Sequence, residues 1–225
     1  MRAMILAAGR GERMRPLTDT TAKPLLAVRG KRLIQYHIEA LARVGIRDIA
    51  INLAWKGAQI RETLGDGSAF GVQLHYSDEG SEAFETGGGI YAALPLLGSE
   101  PFVVVSGDVW TDYPFASLIG RLASDDVAHF VVVPNPEFHV RGDFGLREDR
   151  LVDDAAVRYT YGNIGVLRPE FFSGCAPGKF PLAPLMYEWI RRGKVSGELY
   201  AGQWHNVGTP EQLEKLNLEK LNSEW

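Results

Sequence analysis

The chain has 225 residues, of which 45% are hydrophobic and 23% are charged, and its formal net charge is −4. Such a chain is long enough to bury a substantial core, and its acidic balance argues against general binding to nucleic acid. Cys175 is the single cysteine, which excludes an intrachain disulfide and fits a reducing compartment.

The first residues, MRAMILAAG, contain an apolar run that is too short for a signal segment or a membrane span. We therefore expect a cytoplasmic protein that does not bind membranes. The histidines show no metal-ligand spacing, and a Gly-x-Ser-x-Gly elbow is absent from the sequence, so neither zinc nor serine hydrolase chemistry is supported.

In chain order, the predicted elements alternate between strands and helices. Apolar runs predict strands at residues 3–8, 48–53, 72–76, 102–106, 128–133, 161–167 and 195–200. Apolar residues at helical spacing predict helices at 33–45, 57–65, 88–98, 182–193 and 209–221, and a small hairpin region is expected at 142–154. This alternation predicts an α/β fold with a doubly wound, mostly parallel Rossmann-like sheet and small antiparallel additions in the second half. We expect one domain over residues 1–225.

The loop after the first strand, LAAGRGERMRPLTDTTAKPL, differs from two common phosphate-binding loops. It has no Gly-Lys-Ser/Thr, so it is not a Walker A loop. Gly9 and Gly11 match the start of a dinucleotide fingerprint, but Met14 replaces the third glycine and Pro16 disfavours a continuing helix. A dehydrogenase is therefore the least favoured function.

The same loop is nevertheless suited to an anion. Its glycines let the backbone approach a ligand closely, and it supplies four cationic side chains, Arg10, Arg13, Arg15 and Lys23. It follows a strand at the sheet edge where open α/β folds bind ligands. A triphosphate carries about four negative charges, so several cations and a metal are the physical requirement.

Two further segments follow strands at the same predicted edge. Asp108 comes just beyond strand 102–106, where a carboxylate is a natural ligand for Mg²⁺. The stretch SDEGSEAFETGGGI at 77–90 is polar and leads into a helix, and its three consecutive glycines are expected to admit a flat base or a sugar.

The motif LAAGRGERMRPLT with the following AKPLL resembles the signature of the sugar-1-phosphate nucleotidyltransferases, with Ala22 in place of one proline. The form ETGGG, together with INLAW, GDVWTD and APLMYEWIRRGKVSGELYAGQW, most resembles the N-acetylmuramate α-1-phosphate uridylyltransferase branch of that family. This resemblance extends over essentially the whole chain. It implies a GT-A-like nucleotidyltransferase fold, with residues 1–135 binding the nucleotide and residues 136–225 facing the sugar phosphate.

The resemblance also implies roles for individual residues. Arg13, Lys23 and Asp108 are the expected catalytic residues. Expected nucleotide contacts are Ala8, Gly9, Gly11, Glu12, Arg13, Lys23, Glu79 and Gly80. Expected contacts to the sugar phosphate are Glu85, Thr86, Gly87, Asn163 and Glu198.

The expected metal site departs from the family pattern at one position. Family members often have W-x-D-V-G-T-P, in which the aspartate is a second metal ligand beside Asp108; here the text is WHNVGTP, with Asn206. An amide oxygen can coordinate Mg²⁺, but one negative charge is missing. Weaker metal binding, compensation by Glu198, a shifted metal or a degenerate enzyme are the open interpretations.

The expected activity is the reaction of UTP with N-acetylmuramic acid α-1-phosphate, aided by Mg²⁺, to give UDP-N-acetylmuramic acid and pyrophosphate in peptidoglycan recycling. The alternatives are the same chemistry on mannose or heptose 1-phosphate with GTP, or a non-catalytic sensor of nucleotide sugars. A monomer or a homodimer is expected.

Overall fold

The computed structural model describes residues 1–219 and shows an α/β fold built on a nine-stranded sheet. Its strands are β1 Arg2–Leu6, β4 Asp48–Leu53, β5 Gln73–Asp78, β6 Phe102–Ser106, β8 Ala128–Val133, β9 Gly145–Arg147, β10 Arg150–Val152, β11 Thr160–Leu167 and β12 Val195–Leu199. Two small ribbons accompany it: β2 Ala27–Val28 with β3 Lys31–Arg32, and β7 Val109–Thr111 with β13 Trp204–Asn206.

The strand order is β5-β4-β1-β6-β11-β8-β12-β10-β9. Only β11 and β10 run against the other strands, so the sheet is mostly parallel, as the sequence predicts. The antiparallel β9–β10 hairpin lies inside the predicted region 142–154.

The helices are α1 Leu17–Thr20, α2 Leu33–Arg43, α3 Gly57–Leu64, α4 Glu85–Leu97, α5 Ala183–Arg191 and α6 Pro210–Leu218. Helix α6 begins with a capping box in which Thr209 and Gln212 satisfy each other's backbone N–H groups. Residues 220 and 221 of the predicted last helix lie outside the described residues. None of the helices in residues 1–219 is both long enough and apolar enough to span a membrane.

Helices cover both faces of the sheet because successive strand residues point to opposite sides. In β1, Ile5 joins a core beneath α2 and α3, whereas Met4 joins a second core that includes Ile90 of α4 and Met186 of α5. Both Ile5 and Met4 are fully buried. This two-sided burial confirms the doubly wound arrangement and explains why the strands are almost continuously apolar.

Candidate active site

The carboxyl ends of β1, β4 and β6 meet at one edge of the sheet, since these strands run parallel. A cavity of about 250 Å³ opens there. It is lined by Leu6, Ala7, Ala8, Gly9, Gly11, Lys23, Pro24, Asn52, Glu79, Ala83, Glu85, Thr86, Ser106 and Asp108. The three segments that the sequence singles out, the loop after β1, the stretch 77–90 and Asp108, therefore share one cavity.

Lys23 and Asp108 form an ion pair inside this cavity. Lys23 Nζ lies 2.5 Å from Asp108 Oδ2, and Ser106 Oγ donates to Asp108 Oδ1 at 2.8 Å. The Lys23 side chain is only 10% exposed and that of Asp108 only 29%. Burial by itself raises the pKa of Asp108, but the ammonium and the hydroxyl outweigh it and hold that pKa below its usual value. The carboxylate is therefore ionised at neutral pH.

The phosphate loop packs closely against Gly11. This residue has φ of +66°, and a Cβ there would lie 3.0 Å from Thr18 Cγ2 and 3.2 Å from Lys23 Cβ. Thr18 Oγ1 also donates to the Gly11 carbonyl at 2.8 Å. A glycine is needed at this turn for both its conformation and its lack of a side chain.

Glu79 connects the stretch 77–90 to the phosphate loop. Its carboxylate accepts from Asn52 Nδ2 at 2.7 Å and from the Phe84 backbone N–H at 2.6 Å, while Asn52 Oδ1 accepts from the Ala7 N–H at 2.8 Å. Glu79 is 5% exposed. Both carboxylate oxygens thus have protein donors, and the chain of bonds fixes the two loops relative to each other.

The β7–β13 ribbon places Asn206 beside Asp108. Asn206 pairs with Val109, and the Val207 N–H donates to the Asp108 carbonyl at 2.9 Å. Asn206 Oδ1 is buried and has no hydrogen-bond partner among residues 1–219. A buried acceptor without a donor is costly, and a cation would satisfy it.

These oxygens fit Mg²⁺, which is commonly held by one or two protein ligands together with substrate phosphates. Residues 1–219 contain no cluster of three or more His, Cys, Asp or Glu side chains that could hold a metal by themselves. Asp108 and Asn206 would thus hold the ion jointly with a bound nucleotide.

A second cavity, of about 330 Å³, has Asn206 in its wall. It is lined by Phe138, His139, Asp143, Phe144, Thr160, Tyr161, Asn163, Ala183, Met186, Tyr187, Trp204 and Asn206. Asn163 has φ of +57° and lies where β11 shifts its register between Tyr161 and Ile164. Asn163 lines the cavity at this bulge, and bulges commonly redirect side chains at binding sites.

Residues 2–146 match the protein family described as nucleotidyl transferase. The chain belongs to the nucleotidyl transferase family. It is 47% identical to the N-acetylmuramate alpha-1-phosphate uridylyltransferase of Neisseria meningitidis serogroup B, with all of both chains covered. It is 33% identical to the protein of that name from Caulobacter vibrioides, over 93% of this chain and 92% of the other.

A solved structure shows the same fold. A putative glucose-1-phosphate thymidylyltransferase from Bacillus anthracis superposes with a TM-score of 0.85 over 96% of this chain and 94% of that chain, at 22% identity. The expected nucleotidyltransferase fold is confirmed.

Not every predicted site residue of this nucleotidyl transferase reaches a cavity. Glu12 is exposed and pairs with Arg10 at 3.5 Å, and Gly80 is exposed in its turn with φ of +75°. Neither lines the first cavity. Arg13 also lies outside that lining; a Cβ on Gly208 would be 3.4 Å from its Nη2, so its guanidinium lies against the segment that follows Asn206.

The expectation that Gly87, Gly88 and Gly89 admit a ligand needs correction. A Cβ on Gly87 would lie 2.6 Å from the Phe180 ring, and a Cβ on Gly88 would lie 2.1 Å from the Gly178 carbonyl oxygen. Gly87 and Gly88 make room for residues 178–180, which the sequence could not show because that segment lies far along the chain; a Cβ on Gly89 would lie 2.6 Å from Glu79 Oε1.

Glu198 also does not lie at the sugar-phosphate site where the sequence placed it. It shares a row across the sheet with Val131, Ile164 and Val105, all of which point into the core beneath α2 and α3. Its carboxylate accepts from Tyr113 Oη on that face and lines neither cavity. It therefore cannot replace the charge that Asn206 lacks.

The sequence reasoning missed Asn52 and Ser106 as site residues. Each is a polar residue near the carboxyl end of an otherwise apolar strand, which is the signal that could have revealed it. The second cavity was missed except for Asn163 and Asn206, because its walls come from separate segments of the chain.

Proposed function

We propose that this protein joins UTP and N-acetylmuramic acid α-1-phosphate to give UDP-N-acetylmuramic acid and pyrophosphate, a reaction that would serve peptidoglycan recycling in the cytoplasm. The observation that carries the proposal is the 47% identity over the full length of a relative with that named activity. The two cavities beside Asp108 and Asn206 support it by providing for two substrates.

The division of the two cavities along the chain supports the proposal. All residues lining the first cavity lie between Leu6 and Asp108, and all those lining the second lie between Phe138 and Asn206. We assign UTP to the first cavity, where Gly9, Gly11 and Lys23 receive its phosphates, and the sugar phosphate to the second. Glu85 and Thr86, expected as contacts to the sugar phosphate, line the first cavity, so we assign them to the nucleotide instead.

The proposed reaction is a single displacement at phosphorus. An oxygen of the sugar phosphate forms a bond to the α-phosphorus of UTP, the bond from that phosphorus to the β-phosphate oxygen breaks, and pyrophosphate leaves with the electron pair. The attacking oxygen is already anionic near neutral pH, so the chain need not supply a base. Catalysis is then positioning and neutralisation of charge.

The roles of the protein groups follow from their places. The Lys23 ammonium stands in the first cavity, where it balances charge on the departing phosphates. Arg13 approaches from the side of residue 208 and adds a second cation. Mg²⁺, held by Asp108 and Asn206 when bound, supplies further positive charge to the phosphate oxygens.

The test is pyrophosphate release from UTP, GTP, ATP and CTP, each with N-acetylmuramic acid, N-acetylglucosamine, mannose and heptose 1-phosphates. We expect UTP with N-acetylmuramic acid 1-phosphate to give the highest kcat/KM, and Asp108→Ala to abolish turnover. A preference for GTP with mannose or heptose 1-phosphate contradicts the proposal. Tight binding of a UDP-sugar without turnover, in Mg²⁺ or Mn²⁺, would instead indicate a sensor.

A further inference from the structure

The second cavity has one lining side chain that can carry a positive charge, His139. It is the last residue of the short 3-10 helix Glu137–His139 and lies beside Asp143, which lines the same cavity. His139 and Asp143 are the lining residues of this cavity that can be charged near neutral pH.

The His139 ring is held in one orientation. Its Nε2 lies 3.0 Å from Asp143 Oδ1, while Asp143 Oδ2 accepts from the Tyr161 backbone N–H at 2.8 Å. Asn135 stabilises the same turn by donating to the Val140 carbonyl at 3.2 Å. With Nε2–H directed at Asp143, the second ring nitrogen, Nδ1, has no hydrogen-bond partner among residues 1–219 and remains for a ligand.

The rest of the cavity suits a sugar with one charged substituent. Its walls include the rings of Phe138, Phe144, Tyr187 and Trp204, which offer apolar surface to the C–H face of a pyranose. Thr160 and Asn163 add polar atoms for hydroxyl or amide groups. Lysine and arginine are absent from the lining, so His139 is the lining side chain that can pair with a carboxylate brought into this cavity.

We propose that His139 is the specificity-determining residue that binds the carboxylate by which N-acetylmuramic acid differs from N-acetylglucosamine, and that Asp143 is its positioning residue. The proposal rests on the proposed function. An imidazolium between the Asp143 carboxylate and the lactyl carboxylate of the substrate makes a charge-assisted hydrogen bond on each side. Asp143 orients the ring through its hydrogen bond to Nε2 and leaves Nδ1 for the ligand. Without that charge, Asp143 would repel an acidic sugar.

The experiment compares His139→Gln and Asp143→Asn with the wild type, using UTP and either N-acetylmuramic acid 1-phosphate or N-acetylglucosamine 1-phosphate. Calorimetric binding of each sugar phosphate accompanies the kinetics. We expect His139→Gln to lower kcat/KM for the muramic acid substrate by about tenfold or more, mainly through KM, while the value for the glucosamine substrate stays within about twofold. Asp143→Asn should act in the same direction by a smaller factor.

A matched control is available at the far edge of the sheet. His75 on β5 lies 3.0 Å from Asp48 on β4 in a comparable histidine–aspartate pair, outside both cavities. His75→Gln should leave the ratio of the two kcat/KM values unchanged. Equal losses on both sugars in His139→Gln, or an unchanged ratio, overturn the role of His139. A wild-type enzyme that does not prefer the muramic acid substrate overturns the proposed function as well, so the two failures are distinguishable.

Discussion

Replacing Lys23 with methionine removes the ammonium that lies 2.5 Å from Asp108 and keeps a side chain of similar length. The Asp108 carboxylate then stays partly buried with the Ser106 hydroxyl as its main remaining partner. Breaking a buried ion pair on one side costs about 3–5 kcal/mol. Because the Asp108 side chain retains 29% exposure, we expect the low end, about 3 kcal/mol, or a fall in Tm of roughly 6–12 °C.

The loss should depend on pH in a defined direction. In the wild type the pKa of Asp108 is lowered, so the pair stabilises the protein above the unfolded pKa of about 3.9 and this contribution is lost as pH falls through the folded pKa. In Lys23→Met, burial is no longer outweighed and we expect the pKa of Asp108 to be raised. The variant then recovers stability on acidification. The difference in free energy of unfolding between wild type and Lys23→Met is therefore largest near pH 7 and becomes smaller towards pH 4.

The assays are thermal unfolding from pH 4 to pH 8 and pyrophosphate release at pH 7. Turnover of Lys23→Met should fall by roughly a hundredfold or more, since a lost cation removes about 2–4 kcal/mol of transition-state stabilisation. The double variant Lys23→Met/Asp108→Asn should regain stability but not activity. Near-normal turnover in Lys23→Met, or a stability deficit that widens in acid, would refute the reasoning.

Three further predictions concern the elements around Asp108. Asn206→Asp places a second carboxylate beside the metal site, so the Mg²⁺ concentration for half-maximal activity should fall by about tenfold; an unchanged Mg²⁺ titration speaks against Asn206 as a ligand. Burial lowers the pKa of His37 to about 4, so its neutral ring donates from Nε2 to the Val109 carbonyl at 2.7 Å. His37→Leu leaves that buried carbonyl unpaired and should lower the free energy of unfolding by about 1–3 kcal/mol. Because Val109 directly follows Asp108, we also expect a higher Mg²⁺ concentration for half-maximal activity. His37→Gln should have a smaller effect on both measurements. Gly88→Ala should lower stability in denaturant unfolding by about 3 kcal/mol, because the added Cβ would meet the Gly178 carbonyl oxygen at 2.1 Å. Gly9→Ala, with no atom within 4 Å of the added Cβ, should stay within about 0.5 kcal/mol of wild type, and equal effects of the two changes would contradict this.

Much of the first cavity could be predicted because many of its residues lie within or directly after strands that local apolar runs reveal. Apolar runs reveal β1, β4 and β6, and parallel strands bring their carboxyl ends to one edge, so the Gly9–Lys23 loop and Asp108 had to approach each other. The roles of Lys23, Asp108 and Asn206 in catalysis and metal binding nevertheless stay predictions until they are measured.

The β7–β13 ribbon was not predictable, since each strand has only three residues and they lie far apart in the chain. The ribbon is nevertheless what places Asn206 next to Asp108.

What the sequence by itself determined is the fold class, the phosphate loop and the carboxylate beside it, because each depends on residues close together in the chain. The tertiary structure alone decided where distant residues meet. Strand register turned Glu198 into the core beneath α2 and α3. Gly87 and Gly88 pack against residues 178–180, and His139 pairs with Asp143 in the second cavity. Such contacts depend on how separate segments pair and pack. The energy of that pairing comes from residues far apart in the chain, so no short stretch of sequence reveals it.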